Sequence, residues 1–356
     1  MALLKSNDSP EAPLAEALTE LVGQLPELKH SKWIERALAV LVRMAGEEID
    51  RLDWKILTNA LEDLEQGFTT FYPYRHIRKI TIFGSARLTP ESSEYRLAVE
   101  FARCVTHLGF MVLTGAGGGI MQAANEGAGR DRSFGLNIQL PFEQEANPFI
   151  AGDPKLIDFK YFFTRKLFFL RESDAVALFP GGFGTQDEAF ETLTLCQTGK
   201  YGPAPLVLID EPGGDYWRTW QEQICKNLKQ RGLIGADDLS LYTITDSLEE
   251  ACNAISNFYC VYHSSRYVGQ QLVMRLNGEL SDEQVEQLNA DFSDLLIKGK
   301  IKKSPALPPE IGDETEHLPR LVFYFNQRHF GRLYQLIHQI NQWGSCFIVE
   351  KHPERK

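Results

Sequence analysis

Two glycine-rich turns decide how this chain is read. The first is Leu113-Thr114-Gly115-Ala116-Gly117-Gly118-Gly119-Ile120-Met121. The second is Phe179-Pro180-Gly181-Gly182-Phe183-Gly184-Thr185-Gln186-Asp187-Glu188. Each follows a short apolar run and opens a stretch with helical spacing. Glycine lets a backbone approach a ligand closely. A helix N-terminus beyond it offers unpaired N–H groups and a partial positive charge, a combination suited to phosphate. One such turn alone could be a tight connection. Two of them, each at the carboxyl end of an expected strand, point to a ligand cleft.

Working outward, residues 76–262 alternate apolar runs with helix-length segments. The runs are Ile80–Phe83, Met111–Leu113, Leu136–Leu140, Leu156–Phe159, Ala175–Phe179, Leu206–Ile209 and Leu241–Ile244. Alternation of this kind predicts βαβ units and a Rossmann-like, doubly wound parallel sheet in the α/β class, with ligands at the carboxyl ends of its strands. A dinucleotide fingerprint fails because position 120 is Ile120 and no acidic residue follows Leu140-Pro141 to hold a ribose. A P-loop fails because neither turn ends in Gly-Lys-Ser/Thr. A mononucleotide or sugar phosphate fits better.

The flanks read differently. Residues 1–75 form an N-terminal helical region, with helices expected over Leu14–Leu25, Lys32–Met44 and Asp53–Phe68, Pro26 as a break and Ser31 as a cap. No chemistry is visible there, and packing or assembly is the expectation. Residues 263–356 form an α+β module. Its elements are strands at 271–276, 300–303, 321–325 and 346–349, with helices at 281–297 and 329–343. The order βαβ-βαβ suggests a ferredoxin-like arrangement, with a regulatory or oligomerising role.

Four further side chains could carry chemistry. Ser85, after the first strand, either reaches a base or ribose or serves its own turn. Thr185-Gln186-Asp187-Glu188 matches a capping box, in which Glu188 folds back on Thr185. Alternatively the Glu188 carboxylate faces the cleft, where it could activate water or stabilise an oxocarbenium-like transition state. Arg165-Lys166 opens a helix where a cation opposes the helix dipole. The pair is either solvated surface or a holder of phosphate, of the transition state or of Glu188.

Taken together, 180–188, Arg165-Lys166 and 114–128 resemble the LOG family over roughly residues 78–262. Its enzymes are cytokinin riboside 5′-monophosphate phosphoribohydrolases, and longer relatives act on ordinary nucleoside monophosphates. The resemblance implies a Rossmann-like fold, a homodimer or higher homo-oligomer with the site near the interface, and no metal or cofactor. It implies hydrolysis of the N-glycosidic bond of an AMP-like or cytokinin nucleotide to free base and ribose 5-phosphate. By matching position, Glu188 and Arg165 would be catalytic. Gly181, Gly182, Gly184 and Thr185 would hold phosphate, with Lys166 beside them. Gly117, Gly118, Gly119 and Met121 would line the cleft, with Ser85 near the ribose or base. The first strand ends in Gly84-Ser85-Ala86 where short plant-type members have Gly-Ser-Ser, so the base is left open. Related proteins include molybdenum-cofactor carriers, which bind a phosphorylated pterin. That reading, or a nucleotide-sensing regulator, would use the same cleft. The lysine decarboxylase label sometimes given to this family calls for a lysine Schiff base with pyridoxal phosphate, and no such site stands out.

Composition limits the partners. With 37 Lys+Arg against 48 Asp+Glu, the 356-residue chain carries a net charge of −11, which argues against a broad nucleic-acid or membrane surface. The six cysteines form no CxxC pair, and free thiols in a reducing compartment are expected. Residues 1–18 hold no signal-like apolar segment, and no run is long enough to span a membrane, so a cytoplasmic protein is expected.

Overall fold

The computed structural model describes residues 28–140 and 145–344, together with Gly23. The helix expected at 14–25 and the strand expected at 346–349 lie outside the described residues, Gly23 apart. The chain divides into two units, Met1–Leu61 and Glu62–Lys356. The first holds α1 (Ser31–Ala45) and the start of α2 (Arg51–Phe71). Ser31 is the first helical residue of α1 and not its cap. His30 precedes it with φ 69° and makes no side-chain capping bond.

In the second unit, all seven apolar runs become strands: β1 (Lys79–Phe83), β2 (Met111–Thr114), β3 (Ser133–Ile138), β4 (Leu156–Phe159), β5 (Ala175–Leu178), β6 (Leu206–Ile209) and β7 (Thr243–Thr245). They pair in parallel in the order β4-β3-β2-β1-β5-β6-β7. Among the described residues, eight α-helices follow in this unit: α3 (Ser93–His107), α4 (Ile120–Ala128), α5 (Phe162–Arg171), α6 (Phe183–Gln197), α7 (Tyr216–Ile224), α8 (Leu248–Phe258) and, among the C-terminal elements, α9 (Asp282–Asp291) and α10 (Phe330–Gln342). Because strand side chains alternate between faces, each strand feeds two cores. Ile80, Ile82, Val112, Ala177 and Val207 pack toward α3, α4 and α8. Phe83, Leu113, Val176 and Leu208 pack toward Phe71, Phe168, Ala189 and Trp217 on the other side. Cys104 of α3 and Cys252 of α8 are joined as a disulfide with Cα atoms 6.6 Å apart. This corrects the expectation of free thiols for these two residues, while Cys196 and Cys225 are free. The partners are 148 residues apart in sequence, and only the packing of both helices on one sheet face brings them together.

Residues 262–342 form a four-stranded antiparallel sheet with helices: β8 (Tyr262–Val268), β9 (Gln271–Leu276), α9, β10 (Leu296–Ser304), β11 (Arg320–Phe325) and α10 (Phe330–Gln342). The order is β10-β11-β9-β8. The segment β9-α9-β10-β11 has the split βαβ arrangement of a ferredoxin-like half. The strand beside β9 is β8, which the sequence reading missed, paired with it through a hairpin. The expected helix at 281–297 ends at Asp291, and its last residues enter β10. This module shares a core with the α/β part. Cys196 of α6 and Phe258 of α8 lie in one apolar cluster with Met274, Phe323, Leu336 and Ile340. The buried Asn341 accepts from Val261 N (2.8 Å) and Tyr262 N (2.9 Å) and donates to Phe258 O (2.7 Å). No helix among the described residues is long and apolar enough to cross a membrane.

Candidate functional site

The strand order reverses between β1 and β5, the place where an open α/β sheet leaves a crevice at its carboxyl edge. Three loops meet there: 84–87 after β1, 115–119 after β2 and 179–182 after β5. Ser85 joins them through its backbone. Its N–H donates to Pro180 O (3.0 Å), and its carbonyl accepts from Ile120 N (3.0 Å). The Ser85 hydroxyl accepts from Arg87 N (3.2 Å), the local turn role, while the residue still lines the crevice.

The crevice is a cleft of about 780 Å³ whose walls include Ser85, Met121, Arg165, Gly181, Gly182, Gly184, Thr185 and Glu188. Eight residues singled out in sequence, from four separate segments, are thus brought together. Gly117, Gly118, Gly119 and Lys166 are not on the wall. The turn 115–119 presents Gly115 to the cleft, and its other glycines do not line it. Gly119 has φ +63°, and a Cβ there would lie 2.1 Å from Ser85 O, so both the conformation and the close approach require glycine. Ala116 also has φ +62°, an uncommon state for a residue with a Cβ. It is held by Asn147, whose N–H and Nδ2 donate to Ala116 O (2.8 and 3.1 Å) and whose Nδ2 also reaches Gly117 O (3.1 Å).

The second turn separates its glycines by task. A Cβ on Gly181 would meet Thr185 Oγ1 at 2.2 Å, so this glycine serves packing. Gly182 and Gly184 face open space, with nothing within 4 Å of an added Cβ. Helix α6 starts at Phe183 with Gly182 as its N-cap and no side-chain cap. The N–H groups of its first turn therefore have no intrahelical acceptor. Tyr216, at the start of α7, braces this turn. Its hydroxyl donates to Gly181 O (2.6 Å) and accepts from Gln186 Nε2 (2.7 Å).

Since the helix begins two residues before Thr185, the capping box does not form. Glu188 instead sits one turn into α6, 6% exposed, with Oε2 lacking any hydrogen-bond partner. Its Oε1 is 3.6 Å from Lys166 Nζ. Burial pushes its carboxyl up to about 7. Lys166 and Arg165 oppose that rise, while Glu191 and Asp187 add to it.

Arg165 and Lys166 ride on α5, and their surroundings differ. The Arg165 guanidinium lies 5.0 Å from the Phe162 ring and 5.4 Å from the Phe169 ring. Its buried Nε has no hydrogen-bond partner. Burial works against its charge and Glu188 supports it. Lys166 is engaged by three carboxylates: Glu191 at 2.6 Å, Asp187 at 2.8 Å and Glu188 at 3.6 Å. The start of α5 is held by Asp63 of α2. Its carboxylate accepts from Lys160 N (2.9 and 3.1 Å), Tyr161 N (3.1 Å) and Thr164 Oγ1 (2.5 Å). A buried carboxylate at a helix N-terminus satisfies orphan donors and the dipole together. The region read as devoid of chemistry therefore positions the helix that carries Arg165. Asp63, Asn147 and Tyr216 were missed in sequence. Each acts on a residue far along the chain, and only Tyr216, opening a helix after β6, stood at a place worth marking.

Fold and cleft define a Rossmann-like α/β protein whose candidate site lies at the topological switch point. Residues 118–255 match the family model described as possible lysine decarboxylase. No curated protein matches the chain. Among solved structures, the X-ray structure of TM1055 aligns at 23% identity with a TM-score of 0.36, over 50% of this chain and 98% of that one. The molybdenum cofactor binding protein of the phototrophic bacterium Rippkaea orientalis aligns at 20% identity and a TM-score of 0.32, over 49% of this chain and 90% of that one. The molybdenum cofactor carrier protein of Chlamydomonas reinhardtii aligns at 19% identity and a TM-score of 0.32, over 50% and 96%.

Proposed function

We propose that this chain hydrolyses the N-glycosidic bond of a nucleoside 5′-monophosphate, releasing free base and ribose 5-phosphate. The observation that carries this reading is Glu188. It is a buried carboxylate on the cleft wall with one oxygen unpartnered, on the helix whose uncapped N-terminus opens into the same cleft.

In this reading the 5′-phosphate sits on the first-turn N–H groups of α6, over the open faces of Gly182 and Gly184. The C1′–N bond breaks as positive charge develops at C1′. The Glu188 carboxylate stabilises that charge and accepts a proton from the attacking water, whose oxygen bonds to C1′. The departing base takes a proton in exchange. Arg165, clear of any direct ion pair with Glu188, is available to the ribose or phosphate. Among the described residues no lysine lines the cleft, so the residues present there do not fit a Schiff-base decarboxylase.

The test is release of free base from a panel of nucleoside 5′-monophosphates by the purified chain. Glu188→Gln is expected to lower the rate by at least about a hundredfold, as for loss of a general base. Base release by Glu188→Gln at the parent rate would remove the reading. Tight binding of a phosphorylated pterin with no base released from any nucleotide would favour a carrier.

A further inference from the structure

We propose that Lys166 is a positioning residue that keeps Glu188 ionised and aimed into the cleft, and that it is not a ligand for substrate phosphate. This deepens the reading of Glu188 given above and rests on it.

The geometry of α5 and α6 carries the inference. Lys166 and Arg165 are neighbours on α5, yet only Arg165 reaches the cleft wall. The Lys166 ammonium is held on the α6 side by Glu191 (2.6 Å) and Asp187 (2.8 Å) and stands 3.6 Å from Glu188 Oε1. An ammonium has three donors, and these carboxylates occupy its surroundings. Turning it toward a substrate phosphate would strand two of them beside Glu188.

The contact with Oε1 also explains which Glu188 oxygen is free. Oε1 lies by the ammonium, and Oε2 is buried with no hydrogen-bond partner. Among the described residues, the charged groups acting on Glu188 are Lys166 and Arg165 from α5, and Glu191 and Asp187 from α6. Two cations and two further carboxylates make a balanced cluster in a poorly solvated place. Removing one member moves the Glu188 proton in a direction set by the sign of the charge removed.

The experiment follows the Glu188 carboxyl by two independent readouts. One is the acid limb of kcat/KM for base release, using the best nucleoside monophosphate of the panel. The other is the NMR titration of protein labelled at the glutamate carboxyl carbon, with the Glu188 signal assigned by its loss in E188Q. Lys166→Met should move both midpoints upward by about one pH unit or more, a tenfold loss of rate below the limb. The rate at alkaline pH, where Glu188 is ionised in both proteins, should fall less than the rate below the limb. Lys166→Arg should restore the parent midpoint. Glu191→Gln, which removes a like charge and frees Lys166 for Glu188, should move the midpoint downward.

An unmoved midpoint in Lys166→Met overturns the proposal. So does a tenfold rise in KM at every pH with the limb in place, which is the signature of a lost phosphate ligand. If no nucleotide releases base but the carboxyl titration moves as stated, the pairing stands and the reaction assigned to the cleft fails. If base release is normal and the titration does not move, the reverse holds.

Discussion

A carboxyl group that binds its proton more tightly in the folded chain than in the unfolded one makes folding less favourable as pH rises. Glu188 is such a group, shifted from 4.5 to about 7 by burial. Below pH 4.5 it is protonated in both states and has no effect. Between 4.5 and about 7 the folded state loses stability, and above that the full cost remains. The span corresponds to up to about 3 kcal/mol. Glu188→Gln keeps the shape and removes the charge. It should therefore stabilise the protein above pH 7 by an amount approaching that figure and leave it unchanged near pH 4. Urea unfolding of both proteins at the two pH values measures this. A glutamine variant less stable than the parent at pH 8 would show that Glu188 is held by partners and not strained by burial. The same residue that limits stability is the one assigned to the chemistry, a common relation in active sites.

At the scale of elements, α5 is the informative case. Its first turn carries no acidic residue of its own, and the helix presents Arg165 and Lys166 near the end that disfavours cations. Asp63 compensates from α2. Asp63→Ala should cost about 1–3 kcal/mol, the range for losing a cap together with buried hydrogen bonds. It should also slow base release by loosening Arg165. Asp63→Asn retains an acceptor and should recover part of both losses. Thermal unfolding and kcat measured on the same samples check this, and a loss of stability with kcat intact would confine Asp63 to a structural role. Helix α6 teaches a related point. Thr185-x-x-Glu188 has the form of a capping box, yet the chain already turns into the helix at Gly182. The local pattern was genuine, and the backbone had no use for it. β8 escaped notice for the opposite reason. Its sequence, Tyr262 to Val268, is mostly polar, and its strand identity comes from pairing with β9.

For the molecule as a whole, the C-terminal sheet and the α/β domain are joined by more than a linker. The Tyr334 hydroxyl of α10 accepts from Ala204 N (3.1 Å) and donates to Ala204 O (3.1 Å). A Cβ on Gly331 would strike Asp237 O at 2.1 Å. Removing residues 263–356 would expose Cys196, Leu241 and Phe258, which are fully buried by that module. Exposed apolar area of this kind promotes aggregation. Truncation after residue 262 should therefore give insoluble or dye-binding protein, not a trimmed enzyme. A soluble truncated chain with parental unfolding would refute this. Any regulatory role for the module is better tested by point changes, such as Tyr334→Phe, expected to cost about 1 kcal/mol.

The amino-acid sequence by itself determined the seven strands, their parallel arrangement and the two glycine turns. These follow from side-chain alternation and from backbone sterics, which act between near neighbours in the chain. It also marked Glu188, Arg165, Ser85 and the 181–185 turn, which the cleft does bring together. Only the tertiary structure decided what each residue faces. It divided the glycines into those that pack and those that open onto the cleft. It turned Lys166 away from the wall, and it joined Cys104 to Cys252. It also brought Asp63 to α5, Asn147 to Ala116 and Tyr216 to Gly181. These contacts span tens of residues, and no local pattern encodes them. The raised pKa of Glu188 is of the same kind, because burial is a property of everything packed around a residue and not of the residue itself.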